Sequence, residues 1–91
     1  MENEVKYYRK KPIIIKAFQY LGDYEFNLPD WISDKIVMLT EGTGGIIRTL
    51  EGNMFFQYGD YIAQGIHGEV YPIKQDIFEE SYEEVENEIN N

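Results

Sequence analysis

The chain contains no cysteine and a single histidine. The first absence excludes a disulfide scaffold, a thiol nucleophile, a cysteine-ligated zinc and an iron–sulfur cluster. The second leaves His67 as the one side chain whose ordinary pKa lies near neutrality. Serine is nearly as scarce: Ser33 and Ser81 are the two, and neither stands in a Gly-x-Ser-x-Gly setting. No stretch approaches the ~20 apolar residues of a membrane-spanning helix, and Met1-Glu2-Asn3-Glu4 is the reverse of a signal peptide's basic start. A soluble, cytoplasmic protein is expected. Positive charge is also short, with eight Lys and Arg against 17 Asp and Glu, a formal net charge of −9. Nucleic-acid backbones are bound by cations that release counterions, so direct nucleic-acid binding is not expected.

What is present is apolar and aromatic. Of 91 residues, 43% are hydrophobic, and five Phe, eight Tyr and one Trp supply enough surface to offset chain entropy. A chain of this length makes one domain. It is expected over residues 1–82, followed by an acidic tail over 83–91 too charged to bury. Charge is unevenly spread: residues 1–20 hold five basic and two acidic side chains, whereas residues 76–91 hold seven acidic and no basic ones. An acidic surface of this kind is steered toward basic partners by attraction that fades with salt.

The local patterns favour strands. Lys11-Pro12 marks an extended entry, and Ile13–Tyr20 is β-branched and aromatic, closed by Leu21-Gly22-Asp23. Between Pro29 and Val37, Trp31, Ile32, Lys35 and Ile36 recur at helical spacing behind an Asp30 or Pro29 start, predicting a short helix over a sheet. From Gly42 onward, strands over 46–50, 54–58, 61–66 and 69–73 alternate with glycine-bearing turns, the pattern of a meander. Residues 75–82 fit one helical turn or a terminal strand. The fold class is therefore α+β: a small curled antiparallel sheet or partly open barrel of five or six strands with one short helix packed on it. The expected core is Ile14, Phe18, Trp31, Ile36, Ile47, Leu50, Ile62, Ile66, Val70 and Phe78.

Chemistry has little to work with. His67 stands two positions before Glu69, a general-base pair in outline, yet no nucleophile accompanies it. No His/Asp/Glu set has zinc or calcium spacing, and Gly42-Thr43-Gly44-Gly45 lacks the lysine of a Walker loop and the spacing of a Rossmann loop. Neither enzyme activity, metal nor cofactor is expected. The richer constellation runs from Gly59 to Phe78, where Tyr71 offers a stacking face, Lys74 offers charge to an anion, and His67, Glu69 and Asp60 offer hydrogen bonds; Arg48 adds charge from outside it. These six are the candidate ligand-binding residues. Against that stands an ordinary structural reading in which Asp60 caps a turn, Glu69 pairs with a lysine and Tyr71 fills the end of the sheet.

Tyr8-Arg9-Lys10-Lys11-Pro12, Ala17-Phe18-Gln19-Tyr20, Pro29-Asp30-Trp31, Thr49-Leu50-Glu51-Gly52 and the block from Gly59-Asp60-Tyr61-Ile62 through Gly68-Glu69-Val70-Tyr71-Pro72-Ile73-Lys74 to Asp76-Ile77-Phe78 carry a resemblance. Together they resemble a family of short phage and prophage proteins with a Gly-Asp-Tyr/Trp-Ile, Gly-Glu-x-Tyr-Pro-x-Lys, Asp-Ile-Phe signature, over residues 8–82. Ile73 stands where that family often has cysteine, so no redox or metal role carries over to position 73. The resemblance implies phage origin, action in the bacterial host cytoplasm and, as for many phage proteins of this size, a role against host defence.

Two functions follow as expectations. One is a non-enzymatic protein that sequesters a small, phosphate-bearing, nucleotide-type signal, using Tyr71, Lys74 and Arg48 with the cluster Arg9, Lys10 and Lys11. The alternative is an acidic protein–protein inhibitor that mimics nucleic acid and occupies a host defence protein. A lesser structural or regulatory part in the phage programme is a third. Because aromatic surface exceeds what so small a core can hide, a homo-oligomer is expected as well.

Overall fold

Residues 3–86 are described by a computed structural model. Six strands, β1 (Lys16–Gln19), β2 (Ile36–Thr40), β3 (Gly44–Thr49), β4 (Gly52–Gln57), β5 (Tyr61–Gln64) and β6 (Val70–Ile73), form two three-stranded sheets ordered β1-β5-β6 and β2-β3-β4. Every pairing is antiparallel. A single helical turn, α1 (Asp30–Ser33), precedes β2, and the main helix, α2 (Gln75–Ser81), follows β6. This is a small α+β domain with no closed barrel among the described residues.

Register shows which side chains share a face, since partners directly opposite each other point the same way. Ile47 faces Met54 and Gly45 faces Phe56 on the inner side of β3 and β4, while Phe18 and Ile62 share the inner side of β1 and β5. These inner faces meet in one core of Tyr20, Leu28, Ile32, Ile47, Phe56, Ile62 and Val70, with Phe18, Trp31, Ile36 and Leu39 packed against it. Phe56 lies edge-on to Tyr20 at 5.2 Å, and its ring crosses the position that a side chain at Gly45 would take.

The junction between the sheets is the turn Gln57–Asp60. Gly59 adopts φ +95°, a conformation that favours glycine, and the Asp60 amide donates to the Gln57 carbonyl at 2.9 Å. Tyr20, just past β1, bonds both ways across this turn, its amide to the Asp60 carbonyl at 2.8 Å and its carbonyl from the Gly59 amide at 2.7 Å.

Several expectations need correction. The helix expected over Pro29–Val37 stops at Ser33. The Arg48 amide donates to the Lys35 carbonyl at 2.9 Å, and the chain from Ile36 runs on as β2 in a ladder with β3, with an irregularity at Val37. The strand expected from Ile13 begins only at Lys16, and Ile14, expected in the core, is 73% exposed. Leu50, at 86% exposure, occupies the turn that Thr49 fastens by donating its hydroxyl to the Gly52 carbonyl at 2.7 Å. Ile66, at 62%, rides the Gly65–Gly68 turn. Gln75–Ser81 form a helix that Tyr82 ends in an extended conformation, and Phe78 packs through its ring rather than in the core. Of the expected tail, Glu83, Glu84 and Glu86 are exposed, and 87–91 lie outside the described residues.

Candidate functional site

The six sequence candidates do not gather into one site. Asp60 is buried, 7% exposed, and its carboxylate is engaged: Oδ2 accepts from the Gln57 amide at 3.0 Å and Oδ1 from the Gln75 amide at 3.3 Å. It ties the turn between the sheets to the first residue of α2. Glu69 turns back on its own loop, accepting from the His67 amide at 3.0 Å, with its carboxylate against Gly65. His67 itself is exposed. Arg48 is exposed opposite Asn53, on the outer side of β3. Lys74 is exposed at the start of α2.

Glu69 and Tyr71 come together in a groove of about 340 Å³ between β6 and the β3–β4 turn, lined also by Thr49, Leu50, Glu51, Met54, Val70 and Pro72. Arg48, Lys74, His67 and Asp60 do not line it. Tyr71 belongs with Ala63 on the side of its sheet away from the core, as does Tyr61 with Ile73. That side is covered by α2, whose aromatic residues have a ladder to join. Tyr61 stacks on Phe78 at 3.9 Å, Phe78 on Tyr82 at 4.7 Å, and the Tyr61 hydroxyl donates to Glu79 at 3.2 Å.

At the end of this ladder sits a cation. The Lys10 ammonium donates to the Tyr82 hydroxyl at 3.3 Å and lies 5.3 Å from the centre of its ring, within cation–π range. Tyr71 feels the same neighbours. Burial raises its hydroxyl pKa above the ordinary 10.0, Tyr82 and Glu69 raise it further, and Lys10 pulls it down. Lys10, Tyr71 and Tyr82 thus form a group of one ammonium, flanked in sequence by Arg9 and Lys11, and two hydroxyls. Tyr82 was absent from the sequence candidates, and Lys10 entered them only as part of a basic cluster. The residues were in plain view, but 72 positions separate them.

Tyr20 and Tyr61 share the upward displacement. Burial leads in both, with Asp23 and Glu41 adding at Tyr20 against a lowering backbone bond at Gly42, and Glu79 adding at Tyr61. A tyrosine whose folded pKa exceeds its unfolded value contributes stability that is complete below about pH 10 and is lost as pH climbs through the folded value. The melting temperature is expected to fall from about pH 10 upward, and Tyr20→Phe to make that fall shallower. Melts at stepped alkaline pH, with tyrosinate absorbance followed in parallel, check this; a flat profile contradicts it.

Among the described residues no group of three His, Asp or Glu could hold a metal ion, and no helix is long and apolar enough to cross a membrane. Fold and cluster define a small β-rich α+β domain with a cation held on an aromatic ladder. No protein-family model, curated protein or solved structure matches the chain.

Proposed function

We propose that this chain is a non-enzymatic binding protein that captures a small phosphate-bearing, nucleotide-type ligand at Lys10, Tyr71 and Tyr82. The observation that carries the reading is the seating of Lys10 on Tyr82 beside Tyr71, which supplies one ammonium and two hydroxyl donors to an anion in a protein otherwise dominated by carboxylates. Charge-assisted hydrogen bonds of this type contribute about 1.5–3 kcal/mol each. The adjoining groove is large enough for a base or sugar, and Tyr71 lines it. The resemblance to phage proteins gives the setting: sequestration of a host immune signal in the bacterial cytoplasm.

Calorimetry against ADP-ribose, a panel of cyclic oligonucleotides and inorganic pyrophosphate tests the reading. Lys10→Ala is expected to weaken binding about ten- to a hundredfold, Tyr82→Phe to weaken it less, and Arg48→Ala to leave it unchanged, since Arg48 lies on the other sheet. Silence across the panel overturns the proposal. If salt-sensitive capture of a host protein accompanies that silence, the acidic inhibitor becomes the better account.

A further inference from the structure

The strand β2 is Ile36-Val37-Met38-Leu39-Thr40, five residues with no charge and no proline. One edge bonds β3; among the described residues no backbone hydrogen bond reaches the other edge. Natural edge strands are guarded against pairing by charges, proline, bulges or a covering segment. Among the described residues the irregularity at Val37 is the only such device, and Val37 and Met38 stand 49% and 51% exposed. The uncovered side continues inward from Met38 through its partner Ile46 to Phe55, which is 75% exposed. The helix α2 covers the other sheet instead.

The residues that flank β2 identify its occupant. Lys35 precedes the strand and Glu41 follows it. If two copies of the strand run antiparallel about a two-fold axis at Met38, Lys35 of each copy meets Glu41 of the other, at both ends of the ladder. A parallel pairing sets lysine on lysine and glutamate on glutamate. The chain carries a net charge of −9, so two copies repel over most of their surfaces. The outer side of β2-β3-β4, where Met38, Ile46, Arg48 and Phe55 lie, carries no carboxylate at the positions that share that face.

We propose that β2 is the seam of a two-fold homodimer, pairing antiparallel with β2 of a second copy to make one six-stranded sheet. A five-residue ladder buries less than the ~800 Å² per partner of a standard interface, so association is concentration-dependent. The inference stands apart from the ligand reading and survives its failure.

Sedimentation equilibrium over a micromolar to submillimolar range is the test. The wild type is expected to pass from monomer to dimer. Glu41→Lys makes the chain less acidic and so favours indiscriminate association, yet it is expected to weaken this dimer about tenfold or more, because both flanking pairs become repulsive. Lys35→Glu is expected to do the same. An equimolar mixture of the two variants restores the dimer, since each flanking pair is again opposite in sign. Met38→Lys, which sets two ammonium groups at the axis, is expected to stay monomeric. Circular dichroism at low concentration verifies that each variant is folded. A wild type that remains monomeric throughout, or a dimer indifferent to all three substitutions, overturns the proposal.

Discussion

Phe56→Ala is expected to cost about 3–5 kcal/mol, the range for deleting a fully buried aromatic ring. A 91-residue domain has roughly 5–13 kcal/mol in total, so this one change removes a large share of it. The expectation is strong because Phe56 is 2% exposed and serves three neighbours at once. It packs edge-on to Tyr20, faces Leu39 across the strand at Gly45, and closes the core between the two sheets. Phe56→Leu, which keeps most of the volume, is expected to cost less than about 1.5 kcal/mol. Gly45 supplies the complementary result. A Cβ there would come 2.9 Å from the tip of the Phe56 ring and also press on the Met38 carbonyl, so Gly45→Ala is expected to cost about 1–3 kcal/mol. Combined with Phe56→Leu, the losses are expected to sum to less than their separate values, because the smaller side chain releases half of the clash. Urea unfolding of the four proteins checks the set, and full additivity would show that the two residues do not share one space.

Asp60→Ala is expected to lose about 2–4 kcal/mol, lowering the melting temperature by roughly 10–20 °C for a domain of this size. The carboxylate bonds two backbone amides, those of Gln57 and Gln75, and lies almost wholly out of water. Removing it leaves both amide donors without their partner, which costs more than the bonds alone. The loss also has a location. Gln75 opens α2, so the helix and its aromatic ladder are expected to loosen first, and hydrogen exchange should quicken at Phe78 and Tyr82 before it quickens in β3. Asp60→Asn keeps one acceptor oxygen and is expected to lose about half as much. Equal losses for Ala and Asn would mean that charge rather than geometry holds the turn.

How much of this was legible in the sequence differs by residue. The turns were legible, because Gly59 and Gly68 are required by backbone conformation and announce themselves. Strands β3 to β6 follow from β-branched and aromatic runs between those turns. Ile13-Ile14-Ile15 has the same composition and forms no strand, because a strand needs a partner and only Lys16 onward finds β5. The Trp31–Ile36 spacing is truly helical, but one bond from Arg48 to Lys35 outweighs it, and local periodicity has no access to a residue 13 positions away. Leu50 and Ile66 are apolar yet sit at turn tips, where the backbone leaves no interior to enter. The site was the least legible part. Tyr71 and Glu69 share a groove, while Arg48 and Lys74 belong to other surfaces and Asp60 is occupied by structure. Lys10 and Tyr82 meet only through the fold.

The order in which the sheets use the chain bears on how it folds. Strands β2, β3 and β4 are consecutive and joined by short turns, so their contacts close small loops and form early. Strand β1 instead waits for β5: the Gln19 side chain reaches the Gly59 carbonyl 40 residues further on. Closing that loop costs entropy before any ladder bond returns it, and such non-local pairing slows folding. The β2-β3-β4 meander is therefore expected to form first and the N-terminal segment to dock last, bringing Lys10 to Tyr82 late in folding. The contact between Lys10 and Tyr82 is thereby expected to report on completed folding, since it forms only when the N-terminal segment has docked.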